Sequence, residues 1–246
     1  MKRMRQLTLW GAGLIVLAFL IQYPIQKADS TWKSWSLPLS GKTIIIDPGH
    51  GGMDGGAVGK DQTVEKEIAL IISKKLQDYL QQSGALVYMT RETDRDLASE
   101  HTKRIAKRKS EDIRNRLKLI HDKKPDFFIT LHLNALPRSR WKGAQTFYYP
   151  SFEENRVLAT LIQDEIKRNL ENTKREPLGI QGVYLLKHAK VPGALVEVGF
   201  LSNASELRLL KSPDYQEQMA GSIYNGVLRY VTEGDKKAKE LAQRKE

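Results

Sequence analysis

A chain of 246 residues with 40% hydrophobic and 28% charged residues has the make-up of one folded body of about 200 residues behind a short leader, and disorder is excluded. It contains no cysteine, which rules out disulfides, thiolate nucleophiles, iron–sulfur clusters and Cys-held zinc, so any metal must sit on His, Asp or Glu. Its net charge of +11 points to a polyanionic neighbour, whether nucleic acid, an anionic membrane surface or an acidic wall polymer.

Lys2, Arg3 and Arg5 precede an apolar run from Leu7 to Ile21 interrupted only by Thr8. As a helix this run spans about 22 Å, short of a bilayer core of about 30 Å and at the upper limit of a signal-peptide apolar region. Residues 1–25 are therefore read as a signal peptide or a membrane anchor, with Ala28-Asp29-Ser30 as a weak cleavage candidate. Either reading places the folded domain outside the cytoplasm. Residues 26–41 read as a linker, 42–232 as the catalytic domain and 233–246 as a charged tail, a frayed helix or disordered.

Within the domain strands and helices alternate. A β-branched run at 43–47 predicts a buried strand. Ile68, Ile72, Leu76, Tyr79 and Leu80 recur on a helical period over 65–82, and Ser83-Gly84 ends that helix. Residues 85–89 predict a second strand. A long basic helix is expected over 100–122, held by Ile105, Ile113, Leu117 and Ile120. Strands are expected at 126–133 and 144–149, a helix at 152–170 with Val157, Leu161 and Ile166 inward, strands at 183–186 and 194–198, and closing helices at 205–211 and 214–231. The alternation implies an α/β fold, a single domain whose mostly parallel twisted sheet of about six strands is flanked by helices.

Residues 101–124 hold ten Lys and Arg against three Asp and Glu. Without a nucleic-acid motif or interleaved aromatics, they read as a solvated helix face, or else as a patch facing wall or membrane.

In open α/β sheets ligands bind beyond the carboxyl ends of the strands. The first strand runs into Asp47-Pro48-Gly49-His50-Gly51-Gly52, the third ends in Leu131-His132-Leu133-Asn134, and Glu197 lies within Ala-Leu-Val-Glu-Val-Gly. Glu65, opening the first helix, returns to the same edge. Two imidazoles and a carboxylate suit Zn²⁺ with a position left for water, and a second carboxylate can move protons. Glu197 is the most telling: a carboxylate in an apolar strand needs a cation, either a metal or a buried Arg. His101, His121 and His188 read as surface or helix residues. There is no HExxH and no GxSxG.

At these residues the sequence resembles the zinc-dependent N-acetylmuramoyl-L-alanine amidases of the amidase-3 type. Four blocks carry the resemblance: Ile45 to Gly52, Glu65 to Leu70, Phe128 to Ala135, and Pro192 to Asn203. It implies that His50, Glu65 and His132 bind Zn²⁺ and that Glu197 is the catalytic carboxylate. Glu67 falls where the family shows no ligand. Asn134 is a candidate substrate contact. Ile120-His121 departs from the family's usual Ala-Asn after the arginine-bearing helix, so no catalytic role is given to it. Within the family, the short apolar N-terminus and the lack of a wall-binding repeat fit the germination-specific branch acting on spore cortex, which removes stem peptides ahead of muramic-lactam formation. The implied substrate is peptidoglycan, with no nucleic acid, with the membrane engaged if the leader is retained, and with room for an activating or sequentially acting wall enzyme. The competing readings are a zinc peptidase or deacetylase acting on another wall bond, and a non-catalytic wall-binding module.

Overall fold

A computed structural model describes residues 10, 14–20, 37–137 and 140–243. The chain divides into two units, Met1–Leu37 and Pro38–Glu246. In the first, residues 14–20 are helical with exposed side chains. Among the described residues no helix is long and apolar enough to cross a membrane. The cleavage candidate Ala28-Asp29-Ser30 and residues 26–36 of the expected linker lie outside the described residues.

The second unit runs β1 (Thr43–Pro48), α1 (Glu65–Gln82), β2 (Leu86–Met89), α2 (Ile105–Lys123), β3 (Phe127–Asn134), β4 (Gln145–Tyr148), α3 (Glu153–Leu170), β5 (Leu178–Gly179), α4 (Tyr184–His188), β6 (Gly193–Phe200), α5 (Ala204–Leu210) and α6 (Pro213–Gln243). The six strands form one sheet in the order β2-β1-β3-β6-β4-β5. Neighbours are parallel except β4, which runs against β6. The crossover helices therefore cover both faces, as parallel pairing requires. Alternation along the strands sorts the side chains. Ile44, Ile46, Leu131 and Val196 pack under α1, α3 and α6, whereas Ile45, Phe128 and Leu195 pack with α2 and α4.

Helix α1 starts and stops where its period and its flanking residues put it. Glu65 and Glu67 in its first turn favour the positive end of the helix dipole, and Gly84 supplies the left-handed residue (φ +92°) that turns the chain into β2.

Two expectations need correction. Residues 183–186 are not a strand but enter α4, where Leu185 and Leu186 bury side by side against Phe128 and Leu195. The remaining strand is β5, two residues long, paired with Phe147 and Tyr148 of β4. A short apolar run does not distinguish helix from strand, and here its partners decided the outcome. The basic helix starts at Ile105 instead of residue 100, because Arg108 reaches back to the Ser99 and Thr102 carbonyls and to Asp96, holding 96–104 as turns. Ile105 is 54% exposed and anchors nothing, while Asp112, Arg116 and Ile120 form the helix's buried stripe.

Helix α6 continues to Gln243, through residues read from the sequence as a tail, and buries Leu241 against Val157 and Leu161.

Candidate active site

The site begins with a buried ion pair. Asp47, on β1, receives hydrogen bonds from Thr90 (2.6 Å), Thr130 (2.6 Å) and Arg116 (2.7 Å), and Arg116 also pairs with Asp112. Burial alone would push the Asp47 carboxyl up, but the Arg116 charge and these donors hold it down at about 2. Because its folded value lies below its ordinary 3.8, the native state binds fewer protons in that interval, so the stabilisation is complete above pH 4 and is lost as pH falls through about 2. Asp47→Asn is expected to flatten the acid limb of the wild-type unfolding profile between those values, by about 2 kcal/mol. Equal acid sensitivity of the two proteins in urea titrations would rule this out.

The same arginine builds the loop after β1. Arg116 donates to the carbonyls of Pro48 (2.7 Å) and His50 (2.5 Å), and buried Arg91 donates to Pro48 (3.0 Å), Gly49 (2.9 Å) and Lys66 (2.8 Å). Three consecutive carbonyls are thus fixed from behind, and His50 is held at φ +59°, a conformation that few residues other than glycine adopt. Two glycines make the approach possible. A Cβ on Gly49 would stand 2.4 Å from the His132 ring, and one on Gly56 would stand 2.5 Å from Glu65 Oε2.

Glu65 lies at the centre. Its Oε2 accepts from the Ala57 amide (2.7 Å) and lies 3.2 Å from His50 Nε2, while its Oε1 accepts from the Leu133 amide (2.8 Å) and lies 2.8 Å from His132 Nδ1. Burial would raise this carboxyl, but hydrogen bonds and charge from His132 and His50 hold it well below the usual carboxylate range. One donor atom from each of His50, Glu65 and His132 lies within 4.8 Å of the others, a spacing that one cation can satisfy. The two rings meet edge to face, 5.0 Å between centroids. His50 Nδ1 is 2.9 Å from Asp54 Oδ2, which leaves Nε2 for the centre. Lys109, from α2, pairs with the other Asp54 oxygen at 2.7 Å.

Glu197 stands on β6 directly across from His132 in register. Burial pushes its carboxyl up to about 7, with His132 and His50 opposing and Glu65 adding to the rise. Its Oε2 is buried with no hydrogen-bond partner. Asn134 ends β3 beyond an irregularity in register, its carbonyl accepting from Leu201 at 2.8 Å. Glu67 is exposed where Glu65 is buried, and His101, His121 and His188 are all exposed.

Sequence reasoning missed Asp54, Arg91 and Arg116. Signals for two of them existed: Asp54 is four residues from His50 in a glycine-rich loop, and Asp112, Arg116 and Ile120 recur at four-residue steps on one helix face.

A family model described as N-acetylmuramoyl-L-alanine amidase matches residues 44–229. The germination-specific N-acetylmuramoyl-L-alanine amidase of Bacillus subtilis is 55% identical over 221 residues, covering 90% of this chain and 92% of that protein. The amidase LytC of the same organism is 32% identical over 78% of this chain but only 36% of its own length. Among solved structures, the CwlD amidase of Clostridioides difficile, in complex with the GerS lipoprotein, superposes with a TM-score of 0.76 at 41% identity, covering 78% of this chain and 98% of that one. The chain belongs to the amidase-3 family. It is an N-acetylmuramoyl-L-alanine amidase.

Proposed function

We propose that this enzyme uses Zn²⁺ held by His50, Glu65 and His132 to cut the amide between N-acetylmuramic acid and L-alanine in spore cortex peptidoglycan, outside the cytoplasm. The observation that carries the metal reading is the donor set itself: two imidazoles and a buried carboxylate converge beside a second carboxylate whose inner oxygen has no hydrogen-bond partner. When bound, zinc supplies Lewis acidity toward a carbonyl oxygen and makes water more acidic.

Glu197 is the proton carrier. Its Oε2 takes the proton from the attacking water and passes it to the departing L-alanine nitrogen, so the carboxylate is restored at the end of the cycle. Its burial among apolar neighbours in β6 supports this role, because desolvation raises the carboxyl and a bound cation draws it back, leaving a group that can both accept and donate a proton. Asp54 orients His50. Asn134 is assigned a substrate contact, supported by its position at the end of β3 beyond His132.

The germination-specific relative supports a role in spore germination. The lipoprotein bound to the related structure supports a protein partner for this chain. Residues 1–25 are assigned to export or anchoring, 26–41 to a linker and 42–232 to catalysis.

The test is digestion of purified cortex and vegetative peptidoglycan, with products read by mass. Stem peptides beginning with a free L-alanine amine are expected from cortex, with release stopped by chelator and restored by zinc. Release that survives exhaustive chelation would remove the metal. Equal cleavage of both walls would remove the cortex preference.

A further inference from the structure

We propose, resting on the amidase reading, that Arg175 binds the first free carboxylate of the stem peptide, in a subsite shared with Gln145, Trp141 and Phe200. The position derives from the sheet. Glu197 on β6 is in register with His132 on one side and with Gln145, the first residue of β4, on the other. Phe147, two residues on, packs with Leu195 on the α4 face, so Gln145 and Glu197 share that face. Gln145 is thus one strand spacing from the proton carrier, about 4.8 Å.

Arg175 Nη1 donates to Gln145 Oε1 at 3.1 Å. Its guanidinium lies 5.4 Å from the centroid of the Trp141 ring and 5.4 Å from that of Phe200, and donates weakly to the Lys142 carbonyl at 3.4 Å. The group is oriented, yet among the described residues it makes no ion pair with a carboxylate. The acid nearby, Glu206, interacts with it through charge but not through a hydrogen bond, because the two Glu206 oxygens accept the Gly143 amide at 2.6 Å and the Phe200 amide at 2.8 Å. Three of its five N–H bonds are used by Gln145 and the Lys142 carbonyl, which leaves one on each terminal nitrogen for a planar carboxylate.

Substrate chemistry supplies the match. On one side of the scissile amide is an uncharged sugar ether. On the other is a peptide whose second residue bears a carboxylate, about 7 Å of extended chain from the amide. A cation hydrogen-bonded to the residue beside Glu197 suits the peptide side. Trp141, 39% exposed, offers the apolar wall against which the alanine methyl and backbone can lie.

The experiment compares two soluble muramoyl peptides, one with the second peptide residue as the free acid and one with it as the carboxamide. Zinc-loaded wild type is expected to favour the acid by about tenfold or more in kcat/KM, expressed in KM, in line with a charge-assisted bidentate pair. R175Q is expected to lose that preference by slowing on the acid alone, and R175K to recover part of it. A wild type that does not discriminate, or an R175Q that still does, overturns the proposal. So does an equal loss on both substrates, which would mean that Arg175 only props the 140–145 segment. A second readout uses metal-free protein: calorimetry with the released peptide acid should show about tenfold weaker binding to R175Q, and unchanged affinity overturns the assignment. A wild type that cleaves neither substrate would remove the amidase reading, while the binding comparison would still decide the role of Arg175.

Discussion

Glu197→Gln is expected to lower stem-peptide release about a thousandfold while leaving zinc content unchanged. Gln keeps the volume and planarity of the side chain, so β6 should keep its register with β3 and β4. It cannot accept a proton, and general acid–base help is worth about 10²–10⁴ in rate. The donor set is untouched, because Glu65 is anchored by the Ala57 and Leu133 amides and not by Glu197. The pH profile separates this role from a structural one. A group raised to about 7 in the metal-free site is pulled lower by a bound cation, so the wild-type acid limb in kcat/KM should fall at or below pH 7 and disappear in E197Q. Full activity in E197Q, or a variant stripped of metal, would refute the assignment.

Arg116→Met is expected to cost about 3–5 kcal/mol of folding stability, the usual result of removing one partner from a buried ion pair. Asp47 is 2% exposed and would retain Thr90 and Thr130 but lose its paired cation, with Arg91 acting on it only through charge. The Pro48 and His50 carbonyls would lose their shared donor, so the donor triplet should loosen as well. Adding Asp47→Asn to Arg116→Met should recover part of the loss, since the two side chains are in contact and their effects are not additive. Urea unfolding of the four proteins measures this. A single-variant loss below about 1 kcal/mol would mean the pair is not what holds the loop.

Much of the cluster was legible because its residues sit where strands end. His50, His132 and Glu197 could be traced to one rim from the sheet rule alone, and Glu65 came with the helix that returns there. The support behind them was not legible. Asp112 and Arg116 look like solvated polar residues until Asp47 on β1 is known, whereas Ile113, Leu117 and Ile120 were legible by their period and do pack against the sheet, leaving only Ile105 exposed. The segment 183–186 carries strand-like residues but packs as a helical turn, and the two residues of β5 carry no pattern at all. Arg175 gives no signal in sequence, since only the register of β4 with β6 sets it beside the rim.

The reversed strand has a wider meaning. Since β4 runs opposite to β6, its first residue stands at the rim where β3 ends, and Glu197 is flanked there by His132 on one side and Gln145 on the other.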